Sequence, residues 1–137
     1  MKARAAAAPA ALALAVAAGA CGTPPPDLFV VERTGTVPGA RLTLLVSDTS
    51  ARCNRGPEHA LSSEQILEAR NIERELVELQ AGAATPPPSP PARFFRFSVR
   101  TEEGTLRYGD TTTRPPVLPR LTRFVRRVAI DVCGLPR

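Results

Sequence analysis

The sequence predicts an α+β domain: one antiparallel sheet of about four or five strands with two helices packed on one of its faces. Three observations predict it. Two separated stretches, 28–53 and 95–108, carry β-branched or alternating apolar residues bounded by turn residues. Each is followed by a segment whose apolar residues recur every three or four positions, the spacing of one helix face. Each half of the order therefore pairs strands with a helix, and the simplest packing lays both helices on the apolar face of a single sheet.

The chain opens on Met1-Lys2-Ala3-Arg4 and continues as an apolar run, Ala5 to Ala18, of about 14 residues. A bilayer-spanning helix needs roughly 20 residues, so the run suits an export signal and not a lasting anchor. Cleavage is expected between Ala20 and Cys21, and two routes compete for that bond. Ala18-Gly19-Ala20 fits ordinary signal peptidase, whereas Ala18-Gly19-Ala20-Cys21 fits a lipobox whose cysteine receives fatty acyl chains, palmitate among them. The expected organisation is a signal peptide over 1–20, a lipid-anchored proline spacer over 21–27 and a single α+β domain over 28–137. Its expected location is the extracytoplasmic face of the cell membrane, or otherwise the secreted fraction.

Cysteine usage agrees with export. Three cysteines are an odd number, and lipid on Cys21 accounts for the unpaired one. Cys53 and Cys133 then remain, and an oxidising compartment lets them pair, the other reading being two buried free thiols. Cys53 with His59 matches no metal-ligand spacing, so no metal is expected.

Formal net charge is +5, falling to about +3 once Lys2 and Arg4 leave with the signal. Arginine supplies nearly all of it, Lys2 being the one lysine. A basic balance ordinarily raises nucleic acid as a partner, but export argues against it. Envelope proteins and anionic lipid headgroups are the partners within reach. With no Trp and one Tyr, the core must be aliphatic with a few Phe.

Taken in order, Gly22-Thr23-Pro24-Pro25-Pro26 reads as a stiff polyproline spacer. Leu28 to Arg33 is a β-branched strand, and Thr34 to Gly39 supplies turn residues. Arg41 to Ser47 is a second strand with Leu42, Leu44 and Val46 on one face, and a short third strand carries Cys53. Asn54-Arg55-Gly56-Pro57 breaks it. The first helix has the clearest start in the chain, a capping box of Ser62 with Gln65 and a staple of Leu61 with Ile66. Ile66, Ala69, Ile72, Leu76 and Leu79 make its apolar face, and Arg74 with Glu78 is an i,i+4 pair.

Residues 81–92 are too rich in proline for a regular element and predict a loop. Phe95, Phe97 and Val99 alternate with Arg96, Ser98 and Arg100, Glu102-Glu103-Gly104 makes a tight turn, and Leu106 and Tyr108 return. The last helix spans about Val117 to Cys133, with Pro119 near its start and Gly134 as its C-cap. Leu118, Leu121, Val125, Val128 and Val132 form its buried stripe, while Arg120, Arg123 and Arg127 line another face. That arginine row is the candidate surface for an anionic partner, against its plainer reading as the solvated side of an amphipathic helix.

Two resemblances follow from these features. The signal, Cys21 and the proline spacer make the chain similar to small Ala/Arg/Pro-rich bacterial lipoproteins of unassigned function. The stretch Val30 to Gly39, the helix from Ser62, Phe95-Arg96-Phe97-Ser98-Val99, Asp110 and the helix start at Pro115 to Val125 resemble the emfourin-like domain. That resemblance implies a small α+β fold and, as the alternative function, secreted inhibition of a thermolysin-type metalloprotease, with no inhibitory residue carried over.

No catalytic residue is expected. His59 is the one histidine, and Ser62 and Ser63 beside it read first as helix-capping residues. Glu102 and Glu103 are adjacent turn residues whose side chains point apart. No phosphate-binding glycine loop occurs, and no cofactor is implied. The expected function is a membrane-tethered module of the cell envelope that acts by binding.

Overall fold

The computed structural model describes residues 27–82 and 92–136. The expected signal peptide, Cys21, the expected 21–27 spacer apart from Asp27, and most of the proline-rich loop, 83–91, lie outside these residues; Asp27 itself begins a strand.

The fold is α+β, as the pattern predicts. Six strands form one antiparallel sheet in the spatial order β4-β3-β2-β1-β5-β6. They are β1 (Asp27–Gly35), β2 (Leu42–Ser47), β3 (Ser50–Cys53), β4 (Glu58–Ala60), β5 (Phe95–Thr101) and β6 (Gly104–Gly109). The sheet has one strand more than expected. The extra strand is β4, a three-residue edge whose composition, Glu-His-Ala, carries no strand signal. It forms because Asn54 and Arg55 both adopt positive φ, +50° and +62°. Two left-handed residues in succession make the tight reversal that folds β4 back along β3. Gly56 N–H donates to Cys53 O at 2.8 Å to close that turn.

Two helices complete the fold. Helix α1 (Ser63–Gly82) follows β4 and helix α2 (Val117–Arg127) follows β6. The capping box is formed as predicted: Gln65 N–H donates to Ser62 Oγ at 3.2 Å, and Ser62 N–H donates to Gln65 Oε1 at 2.8 Å. Leu61 is buried and Ile66 packs on the core, as a staple requires. The predicted Arg74–Glu78 pair is not made; Arg74 turns back to Asn71 Oδ1. Helix α1 also runs through Ala81 and Gly82, the first two residues of the expected loop.

Helix lengths explain the topology. Strands β1 to β4 form a meander on one side of β1, and β5 must then join its other side. Crossing from β4 to β5 covers four strand spacings, about 19 Å. The 20 residues of α1 rise about 30 Å, enough to make the crossing over the sheet. Helix α2 brings the chain back. The pairs Arg120–Glu75 and Arg127–Glu68 run in opposite sequence directions, so α1 and α2 lie antiparallel. Beyond Arg127 the chain widens into a π-helical turn, Val128–Val132, ending beside β3. Gly134, at φ +66°, reverses the chain as the predicted cap, and Leu135 N–H closes onto Ala129 O at 2.9 Å.

The core lies between the helices and one sheet face. Val31, Leu44, Val46 and Val99 from the strands meet Ile72, Leu76, Leu121 and Val125 from the helices, all without measurable exposure. Phe124, which the predicted stripe omits, is equally buried and packs edge-on against Phe29 at 6.1 Å. Each such side chain stabilises the fold by about 1.5–3 kcal/mol relative to exposure. Tyr108 stacks on Phe97 at 5.0 Å, and its hydroxyl meets Thr122 Oγ1 at 3.2 Å. Burial of that phenol raises its pKa well above the ordinary value, only partly offset by the Thr122 bond.

Candidate binding surfaces

The two cysteines predicted to pair are bonded. Cys53, at the end of β3, forms a disulfide with Cys133, just beyond the π-helical turn, with a Cα–Cα distance of 6.2 Å. The bond fastens the end of the second helical segment to the far side of the sheet across a separation of 80 residues.

The arginine row is divided by its surroundings. Arg120 Nη2 donates to Glu75 Oε1 at 2.7 Å and Arg127 pairs with Glu68, so both reach across to α1. Arg123 is exposed, and beside it Arg126, Arg127, Ile130 and Asp131 line a shallow depression. Two of the three predicted residues therefore tie one helix to the other, and Arg126 lines the depression beside Arg123. The two carboxylates that intervene, Glu68 and Glu75, sit 45 or more positions upstream, beyond any local pattern.

His59 lies on the edge strand β4, opposite Ala51. Ser62 Oγ is occupied by the Gln65 N–H as the helix cap. Glu102 and Glu103 occupy the β5–β6 turn, whose Gly104 carbonyl accepts from Gln80 Nε2 at 3.1 Å. No helix among the described residues is long and apolar enough to cross a membrane. Among the same residues, no group of three or more His, Cys, Asp or Glu is arranged to hold a metal ion.

Both helices lie on one face of the sheet, and among the described residues no helix covers the other face. It carries Glu32 and Thr43 in the middle, Arg52 paired with Glu58 at 2.8 Å on one side, and Arg96, Arg100 and Arg107 on the other. Glu32, Thr34, Arg96, Ser98 and Arg107 line a concavity of about 240 Å³ there. That is below the roughly 300–1,000 Å³ of sites that engulf small molecules, so this face suits surface contact better than ligand enclosure.

The most highly organised surface lies where β1 ends and β5 begins. Four devices build it. Gly35 lets the chains close: a Cβ there would stand 2.3 Å from the Phe94 carbonyl oxygen and 2.9 Å from the Ala40 Cβ. Thr36 N–H donates to that same Phe94 oxygen at 3.3 Å. Arg33 holds the β1–β2 turn, donating from Nε to Ala40 O at 2.9 Å and from Nη2 to Gly39 O at 3.3 Å, with its guanidinium 5.0 Å from the Phe95 ring centre. Burial lowers the Arg33 pKa, yet an arginine so placed keeps its charge. Asp110 fastens the other strand: Oδ1 accepts from Arg93 N at 2.8 Å, and Oδ2 from Phe94 N at 2.8 Å and Phe95 N at 3.1 Å.

Sequence reading placed Arg33, Gly35 and Asp110 in a strand, a turn and a loop. It missed that they converge. The signal was an Asp directly after a strand whose partner strand begins at Phe95, but which N–H groups it would meet depends on the β5–β6 register.

No protein-family model, curated protein or solved structure matches the chain.

Proposed function

We propose that this chain is an exported binding module of the cell envelope, held at the outer side of the membrane through lipid on Cys21. The observation that carries the reading is the Cys53–Cys133 bond. Disulfides persist where the surroundings are oxidising, outside the cytosol, and that is where an export signal delivers a protein. Pairing Cys53 with Cys133 also leaves Cys21 as the single cysteine available for lipid. Binding, and not catalysis, is supported by two features: the concavity on the sheet face is small, about 240 Å³, and the Ser62 hydroxyl nearest the one histidine in sequence is committed to its helix.

The intact mass of protein recovered from membranes tests this. Loss of residues 1–20, an added diacylglyceryl and acyl mass on Cys21, and two hydrogens fewer than the dithiol form are expected. A mass retaining the initiator segment overturns export. A mass beginning at Cys21 without lipid overturns the tether and leaves a secreted protein.

A second reading, secreted inhibition of a thermolysin-type metalloprotease, is favoured by one observation. The β1–β2 turn with the Phe94 segment is a braced, outward surface, and a loop already fixed in shape loses little entropy on binding a cleft. Titrating a thermolysin-type protease with the purified chain decides it: unchanged proteolysis at large molar excess removes the reading.

A further inference from the structure

We infer that the end of the sheet formed by the β1–β2 turn and the Phe94 segment is a docking surface for an acidic protein partner that presents an apolar group at its centre. The inference rests on the reading of the chain as a binding module and not on the lipid.

The apolar centre is the first observation. Among the described residues three large hydrophobic side chains are exposed, Val37, Leu67 and Phe94. Val37 is 37% exposed and Phe94 45%, and the Thr36–Phe94 hydrogen bond makes their two segments direct neighbours. Apolar groups gathered on a surface and rimmed by polar ones mark sites of association.

The rim is the second. Arg33, Arg41, Arg93 and Arg96 all belong to this end: Arg33 pairs with Leu42, next to Arg41, and Arg96 pairs with Thr34. The Arg93 guanidinium lies 5.1 Å from the Phe94 ring centre. None of Arg41, Arg93 and Arg96 takes part in an ion pair among the described residues. Of the nearby carboxylates, Asp110 is turned inward onto three backbone N–H groups, and Glu32 lies farther along β1 in the concavity it shares with Arg96.

The third is the contrast with the opposite end of the sheet. Asp27, Glu102 and Glu103 collect there, at the start of β1 and in the β5–β6 turn, beside Asp48 of the β2–β3 turn, which accepts from Arg70 Nε at 2.9 Å. Glu73 faces the same group; burial raises its carboxyl pKa first, and repulsion from Glu102 and Asp48 raises it further. The nine residues of β1 separate the two ends by about 26 Å. Preorganisation by Gly35, Arg33 and Asp110 then favours a partner that binds a fixed shape, with the charges steering its approach.

Amide NMR shift mapping on the full chain at low ionic strength tests the proposal. The probes are a peptide alternating Glu with Leu, the same peptide with Ser for Leu, the same with Lys for Glu, and vesicles of phosphatidylglycerol in phosphatidylcholine. Shifts from the Glu–Leu peptide confined to Val37, Gly39, Arg93 and Phe94 are expected. Weaker binding of the Ser version, loss of about tenfold in affinity with Arg41→Glu and Arg93→Glu together, and an unchanged affinity with Arg123→Glu and Arg126→Glu complete the expectation. The wild-type map needs no variant to fold. No shifts with the Glu–Leu peptide, shifts centred on Arg123 and Arg126, equal binding of the Lys peptide, or no loss on replacing Leu by Ser each overturn the proposal. Tighter engagement of the vesicles by the same residues overturns it in favour of a lipid surface. An unlipidated chain that still gives the expected map leaves this inference standing while the tether falls.

Discussion

Asp110 Oδ2 accepts the backbone N–H of Phe94 at 2.8 Å, and through it the carboxylate fixes the segment that leads into β5. Burial alone raises the Asp110 pKa, but the hydrogen bonds from Arg93, Phe94 and Phe95 outweigh it and hold the carboxyl below its ordinary value of 3.8. The stability gained from a depressed carboxyl is therefore present above the unfolded value and is lost as pH falls through the folded one. Asp110→Ala is expected to cost about 1–2 kcal/mol at neutral pH. The cost should shrink at acid pH, as the carboxyl takes up its proton in the folded state as well. Urea unfolding of both proteins at neutral and at acid pH measures it, and an equal difference at both would show that the charge is not what holds Phe94.

The disulfide closes 80 residues of separation, and a cross-link of that span removes much freedom from the unfolded chain. In the chain-entropy account the reduced protein should be less stable by about 4 kcal/mol. Cys53→Ala with Cys133→Ala should behave as the reduced wild type does. Guanidinium midpoints with and without a phosphine reductant test this. A reductant-insensitive midpoint in the wild type would show that the pair is not bonded in solution.

Arg55 occupies the left-handed region at φ +62° with no glycine to relieve it. Neighbouring Asn54 has a reason to be there, since its Oδ1 accepts from Thr43 N at 2.9 Å. Arg55→Gly should therefore stabilise by about 1 kcal/mol, the strain removed exceeding the entropy added to the unfolded chain. Asn54→Gly should not, because it loses the Thr43 bond. Thermal denaturation of the two variants separates them.

How far the sequence could be read depended on the range of each interaction. Helix α1 was legible to the residue at its start because Ser62, Gln65, Leu61 and Ile66 act within one turn. The strands of both hairpins were legible, β1 from its β-branched residues and the others from alternation. Strand β4 was not, because a three-residue edge held by two left-handed residues has no pattern of its own. Phe124 was missed because a helix packed on a sheet buries a wider stripe than the five positions chosen. The bracing of the sheet end was illegible for a different reason. Gly35, Arg33 and Asp110 meet only after β1 has paired with both β2 and β5, so a long-range register decides their roles.

Gly35→Ala should disturb that bracing directly. The added methyl would sit 2.3 Å from the Phe94 carbonyl, a backbone atom that cannot rotate aside. A cost of about 1–3 kcal/mol is expected, the range for forcing extra volume into a packed site. Amide exchange should accelerate at Thr36, which loses its bond to Phe94, ahead of the residues of α1 and α2. A variant as stable as the wild type, with Thr36 unchanged, would mean that the two strands separate there without cost.

Arg120 and Arg127 make a final case, because their contacts assign them to the helix pair before any partner. Both reach carboxylates on α1, Glu75 and Glu68, from partly exposed positions. Charge reversal at either residue sets like charges together, and about 1 kcal/mol of destabilisation is expected for each at low salt. The loss should fall as salt rises, since exposed charges are screened within about 10 Å at 0.1 M. Arg127→Glu combined with Glu68→Arg should recover most of the lost stability, which a general effect of net charge does not allow. Arg123→Glu, on the same helix but outside both pairs, should leave the midpoint unchanged. Equal destabilisation by all three reversals, with no recovery in the swapped pair, would show that the helix responds to total charge and not to these two bonds.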